Sequence, residues 1–203
     1  MDLLLIRHAL PVRIENAPSG RADPELSETG LRQAALLGEW LAHESIDAIY
    51  VSPMARARQT ARPLEEAKGI DAVVEHGVRE WDFEDHTYIP MEELKAEDPE
   101  AYRAMIKGEI KAERTDFINE VVESIERMVA NHRGQRVAVV CHGGVVNAYV
   151  AAQVLGLEDT AFFMPHYTSI SMVHAASSGE RSVGSLNEIP HLRPLISELE
   201  ARA

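Results

Sequence analysis

The run Val137-Ala138-Val139-Val140-Cys141 restricts the fold of this chain more than any other feature. It is short, continuously apolar and rich in β-branched residues, which reads as a strand buried on both faces. The run breaks at His142-Gly143-Gly144 and is followed directly by Val145 to Leu155, apolar on nearly every side, with Gly156 just beyond. That segment reads as a buried helix with a glycine stop. A second run, Leu3 to Ile6, also reads as a buried strand and ends in a polar pair, Arg7-His8. Strands covered on both faces belong to sheets sandwiched between helices.

The intervening segments agree. Leu10 to Leu26 contains Pro11, Pro18, Gly20 and Pro24 and reads as a loop. Ser27 is an N-cap for a helix to about His43, with Leu31, Ala34, Ala35, Gly38, Leu41 and Ala42 on its inner face. Ile46 to Val51 is the next strand, Met54 to Lys68 a helix closed by Gly69, and Val73-Val74 a short strand. Residues 81–115 are acidic and interrupted by Pro90 and Pro99; two short helices are expected there, the second capped by Asp98. Ile118 to Val129 marks an amphipathic helix, and two late strands, Ser169 to His174 and Arg181 to Leu186, form a hairpin around Ser177-Ser178-Gly179. The expected architecture is α/β: a three-layer sandwich with a mostly parallel central sheet, helices on both faces and a short helical cap insertion at about 81–115. Residues 1–203 are expected to form one domain.

In such sheets ligands bind beyond the carboxyl ends of the strands. Three predicted strand ends then meet: Arg7-His8, Ser52-Pro53 and His142-Gly143-Gly144. The net charge of −13 repels polyphosphate, arguing against nucleic acid, and any site for an anion must concentrate arginine locally. No apolar run approaches the ~20 residues of a membrane span. A lone cysteine, Cys141, and the lack of a secretory leader fit a cytoplasmic location.

A lone histidine is usually a core or capping residue. Here Arg7 precedes His8 and a second histidine sits at another strand end, and a neutral imidazole can attack phosphorus. Arg56 lies in the first turns of a helix following a strand, a place suited to anions, whereas Arg58 and Arg62 read as a solvated face. His142 serves equally well as a cap or as a donor to a phosphoryl oxygen. Glu80, beside Trp81, is a carboxyl that partial desolvation would keep protonated, but physics alone does not separate it from a surface acid. No zinc, calcium, Walker or dinucleotide motif is present, and Glu84-Asp85-His86 reads as an acidic turn.

In order and spacing, Arg7-His8, Ser52-Pro53 through Arg56-Ala57 to Gln59-Thr60-Ala61, Glu80 and His142-Gly143 resemble the histidine phosphatase superfamily, also called phosphoglycerate-mutase-like. Gly20 to Pro24, Leu26-Ser27 and Gly30 extend the likeness. The resemblance implies that His8 is the nucleophile, that Arg7, Arg56, His142 and Gly143 hold the phosphoryl group, and that Glu80 donates the proton. It implies no metal and no cofactor. Ala9-Leu10-Pro11, Ile14 and Phe83 to His86 depart from the family pattern, so the rim that reads the rest of the substrate is altered.

The expected activity is hydrolysis of a small phosphorylated metabolite. A phosphoglycerate-type mutase is the alternative, and needs a basic cap; a phosphohistidine or phosphoprotein phosphatase is another. A dead binding module is disfavoured by the intact set. Lys95, Arg103 and Lys107 are the cap cations expected to influence substrate choice. A homodimer is compatible with the sequence but not fixed by it.

Overall fold

The computed structural model describes residues 1–18, 20–106, 114–157 and 162–195, with side chains for all of these except 105, 106 and 114. Lys107 lies outside them. The centre is a six-stranded sheet: β1 (Asp2–Arg7), β2 (Ala48–Val51), β3 (Val73–Val74), β4 (Arg136–Cys141), β5 (Ile170–Ala175) and β6 (Arg181–Glu188), in the order β3-β2-β4-β1-β5-β6. The first four in that order run parallel, β5 pairs antiparallel with β1, and β6 pairs antiparallel with β5.

Why β1 and β4 read as unbroken apolar runs is visible in the packing. Leu3, Leu5, Val137, Val139 and Cys141 face a core built with α5 (Arg114–Asn131) and α6 (Gly143–Ala148). Leu4, Ile6, Ala138 and Val140 face a second core built with α1 (Glu28–Leu41) and α2 (Ala55–Lys68). Successive side chains point to opposite faces, and both faces are covered by helices, so no position tolerates a polar residue. Truncating Leu5, which is fully buried, to alanine costs about 2–5 kcal/mol.

The Ser27 hydroxyl caps α1, accepting from Gly30 N at 3.0 Å and donating to Leu10 O at 3.0 Å. The inner face of α1 differs from the expected one. Gly30, Ala34, Leu37, Gly38 and Leu41 are buried, whereas Leu31 and Ala35 face solvent. The reason is steric: a Cβ at Gly30 would stand 2.0 Å from Leu10 O, so the glycine edge rather than Leu31 meets the loop after β1. The segment after β4 is helical as expected, but α6 passes into wider π-type turns through Tyr149–Leu155, and its last turn is partly exposed at Gln153 and Leu155.

The cap holds α3 (Met91–Glu97) and α4 (Pro99–Ile106) outside the sheet. Asp98 Oδ1 accepts from Glu100 N and Ala101 N at 3.2 and 2.9 Å, the expected cap. Among the described residues no helix is long and apolar enough to cross a membrane.

Candidate active site

The carboxyl ends of β1, β2 and β4 meet under the cap. A cavity of about 390 Å³ opens there, with Arg7, His8, Arg56, Glu80, Gly143 and Gly144 among its walls. The predicted residues thus converge, and His142, fully buried, packs next to them, its ring 5.0 Å from that of His8.

β1 delivers His8 in a fixed tautomer. His8 Nδ1 lies 2.8 Å from Ala9 O, and a carbonyl only accepts, so Nδ1 carries the proton and Nε2 holds a lone pair. Arg56 Nε donates to that Nε2 at 3.3 Å. Burial, then the charges of Arg56 and Arg7, hold the His8 imidazole well below its usual pKa, against the Ala9 carbonyl. The ring is neutral and basic at Nε2.

The two arginines are held from behind. Arg7 Nη1 donates to Pro165 O at 2.6 Å, and its guanidinium carbon sits 3.9 Å from the Tyr167 ring centre. Arg56 is almost entirely buried, its guanidinium carbon 4.7 Å from the Tyr88 ring centre and its Nη2 3.5 Å from Asp82 Oδ1. Asp23 approaches Nη1 at 3.9 Å. A buried guanidinium needs such partners. Arg7 Nε, Arg56 Nη1 and His142 Nδ1 are nonetheless buried without a protein hydrogen bond. All three belong to residues at or next to the His8 end of the cavity, and unspent nitrogen donors of this kind suit an anion.

Helix α2 explains the Gln59-Thr60-Ala61 motif. Gln59 Oε1 accepts from Leu26 N at 2.6 Å. Thr60 Oγ1 accepts from Ala9 N at 2.9 Å and donates to Arg56 O at 2.7 Å, tying the residue after His8 to the arginine. Ala61 packs fully buried in the core. The departures from the family pattern also have places. Ala9 packs with Leu26 and Ala34, Pro11 bridges to Leu26, and Ile14 pairs by its backbone with Tyr88, at 3.0 and 2.7 Å. That last pairing holds Tyr88 over Arg56.

Glu80 is buried, its Oε2 accepting from Gly144 N at 2.9 Å and its Oε1 from Trp81 N at 3.0 Å. Burial first, and the Asp82 charge second, push its pKa up to about 7; the two N–H donors and Arg56 pull the other way. The Trp81 contribution seen here is its backbone N–H. Asp82 is itself raised, mainly by burial. His142 Nε2 lies 2.7 Å from Ser52 Oγ, which accepts from Met54 N at 3.4 Å. Burial and the neighbouring Arg56, His8 and Arg7 hold the His142 pKa well below the usual range.

Sequence reasoning missed several members. Gly144, not Gly143, is the constrained glycine, because a Cβ there would meet Glu80 Oε1 at 2.2 Å, whereas at Gly143 the nearest approach is 3.6 Å to Arg7 Nε. Asp82, Tyr88 and Tyr167 carry no local signal, since they act through residues distant in the chain. Thr168 was also invisible: it adopts φ 58°, unusual for a β-branched residue, and donates its N–H to Arg7 O at 3.1 Å. Lys95 and Arg103 are exposed and do not line the cavity. Among the described residues no group of three His, Cys, Asp or Glu is placed to hold a metal, Glu84-Asp85-His86 included.

The family model for the histidine phosphatase superfamily, branch 1, matches residues 3–188. This chain belongs to the histidine phosphatase superfamily. Among its relatives in that superfamily, phosphoserine phosphatase 1 of Hydrogenobacter thermophilus is 33% identical over 186 residues, covering 86% of each chain. The adenosylcobalamin/alpha-ribazole phosphatase of Salmonella typhimurium is 30% identical over 158 residues, 74% of this chain and 78% of that one. The structure of the mycobacterial glucosyl-3-phosphoglycerate phosphatase in complex with VO3 superposes with a TM-score of 0.76 at 24% identity, covering 93% of this chain and 99% of that one. The likeness to that structure concerns the histidine phosphatase fold.

Proposed function

We propose that this protein hydrolyses small phosphomonoesters through a phosphohistidine at His8, without a metal. The observation that carries the reading is the tautomer: Ala9 O fixes the proton on Nδ1, leaving Nε2 as a lone pair that faces the Arg56 Nε at 3.3 Å. Family membership and the phosphatase names of the relatives support it.

In the first step the Nε2 lone pair of His8 attacks phosphorus and the P–O bond to the leaving alcohol breaks. The Glu80 proton passes to the departing oxygen, which leaves as a neutral alcohol. A carboxyl with a pKa of about 7 still keeps its proton in about half of the molecules at neutral pH and in more of them below it, as this step requires. Arg7, Arg56 and His142 Nδ1 donate to the transferring oxygens; each such preorganised donor lowers a barrier by about 3–4 kcal/mol. In the second step water attacks phosphorus, the Glu80 carboxylate takes a proton from it, and the N–P bond breaks. Neutral His8 and inorganic phosphate result. Ser52 supports His142: its hydroxyl accepts from Met54 N and donates to His142 Nε2, directing the ring proton to Nδ1. Gly143 lets the phosphoryl group approach the end of β4 beside Arg7. The single cysteine, buried Cys141, is in keeping with a cytoplasmic location.

Turnover of p-nitrophenyl phosphate in excess EDTA tests the proposal. Activity is expected to persist in EDTA and to vanish in His8→Ala. Loss on chelation, restored by a divalent ion, would overturn the metal-free mechanism.

A further inference from the structure

We propose that the substrate is a phosphomonoester whose alcohol is uncharged and predominantly apolar, such as an arylalkyl or medium-chain alkyl phosphate. This rests on the phosphatase reading above and concerns the part of the cavity beyond the phosphoryl site. The cavity, about 390 Å³, lies within the range of small-molecule sites. One end is Arg7, His8 and Arg56. The remainder is walled by Met91 and Leu94 of α3, Phe117 of α5, Trp81, and the pair Phe162 and Phe163, whose rings are 4.8 Å apart.

That aromatic pair is anchored. Asn147 Nδ2 on α6 donates to Phe163 O at 2.9 Å and to Gly143 O at 3.1 Å, and Asn147 Oδ1 accepts from Phe163 N at 3.4 Å. The amide that faces the cavity is therefore spent on joining the aromatic wall to the turn after β4.

Charge points the same way. Among the described residues lining the cavity, the only cations are Arg7 and Arg56, both at the phosphoryl end, while Asp82 and Asp85 join Glu80 on the walls. A substrate carboxylate would be brought out of water toward Asp82 and Asp85, with no cation among the described lining residues beyond the phosphoryl end to meet it. An apolar alcohol gains from the same walls about fourfold in affinity per methylene buried.

The test is a series of primary alkyl phosphates, ethyl to octyl, with 2-phenylethyl phosphate, phosphoserine and 3-phosphoglycerate, all of which have an aliphatic alcohol as leaving group and need its oxygen protonated. We expect kcat/KM to rise about fourfold per methylene until the cavity is filled. We expect 2-phenylethyl phosphate to exceed phosphoserine and 3-phosphoglycerate by roughly 100-fold. Leu94→Ser and Phe117→Ser should lower the hexyl-to-ethyl ratio, and Leu94→Arg should raise the 3-phosphoglycerate-to-ethyl ratio. A flat alkyl series, or preference for either carboxylated substrate, overturns the inference and leaves the phosphatase reading standing. Turnover of none of these esters, p-nitrophenyl phosphate included, overturns both.

Discussion

Gly144 and Glu80 are built around each other: the glycine N–H donates to Glu80 Oε2 at 2.9 Å, and a methyl group on Gly144 would stand 2.2 Å from Oε1. The carboxyl can lie against the turn after β4 because that turn lacks a side chain at this position. Gly144→Ala should therefore displace the acid while leaving His8 and the arginines in place. Alkyl phosphates, which need a proton on the leaving oxygen, should slow by about 100-fold or more, and p-nitrophenyl phosphate far less. Steady-state kinetics on the two ester types measures this; an equal loss on both would detach Gly144 from the proton donor.

The pH profile follows from the same carboxyl. Glu80 acts as its acid form in the first step, and its pKa is raised to about 7, so kcat/KM for alkyl phosphates should fall as pH rises above about 7. Neutral His8, held well below the usual imidazole range, adds no limb there. Glu80→Gln should remove the alkaline limb. The shift also bears on folding. Between the ordinary value of 4.5 and about 7, the native state holds a proton that the unfolded chain has lost. Glu80 therefore lowers stability as pH rises through that window, and Glu80→Gln should flatten this part of the thermal-unfolding profile.

Asp82 serves two neighbours at once. It lies 3.5 Å from Arg56 Nη2, and its negative charge helps to raise Glu80. Asp82→Asn should move the alkaline limb to lower pH. A limb that stays in place, or moves up, would show that burial alone sets the acid.

Lys95 stands on the outer side of the cap, its Nζ 5.7 Å from the Tyr102 ring centre, and Arg103 is exposed. Lys95→Ala and Arg103→Ala should change the kcat/KM ratio between 2-phenylethyl phosphate and phosphoserine by less than about twofold, since exposed charges act weakly through water. A larger change would restore to these cations the role in substrate choice expected from composition.

What could be read from residues alone divides along physical lines. β1 and β4 were legible because burial on both faces leaves unbroken apolar runs, and the strand-end rule then brought Arg7-His8, Ser52 and His142 together. Glu80 was legible only through family resemblance, since its burial and its contact with Gly144, 64 residues away, are announced by no local pattern near residue 80. The inner face of α1 was read one residue off because Leu31 is apolar yet exposed, while Gly30 is chosen by its contact with Leu10. Asp82, Tyr88 and Thr168 were missed because what they do depends on contacts across 26 residues or more, from Asp82 to Arg56, Tyr88 to Arg56 and Thr168 to Arg7.

Covalent transfer of the phosphoryl group to His8 can be caught by rapid quench of the enzyme with 32P-labelled substrate. A base-stable, acid-labile phosphoenzyme is expected, mapped by mass spectrometry to His8 and absent from His8→Ala, whose turnover is abolished while vanadate still binds. Full turnover with no phosphate on His8 at any quench time, or a His8→Ala protein that kept most of its activity, would contradict it.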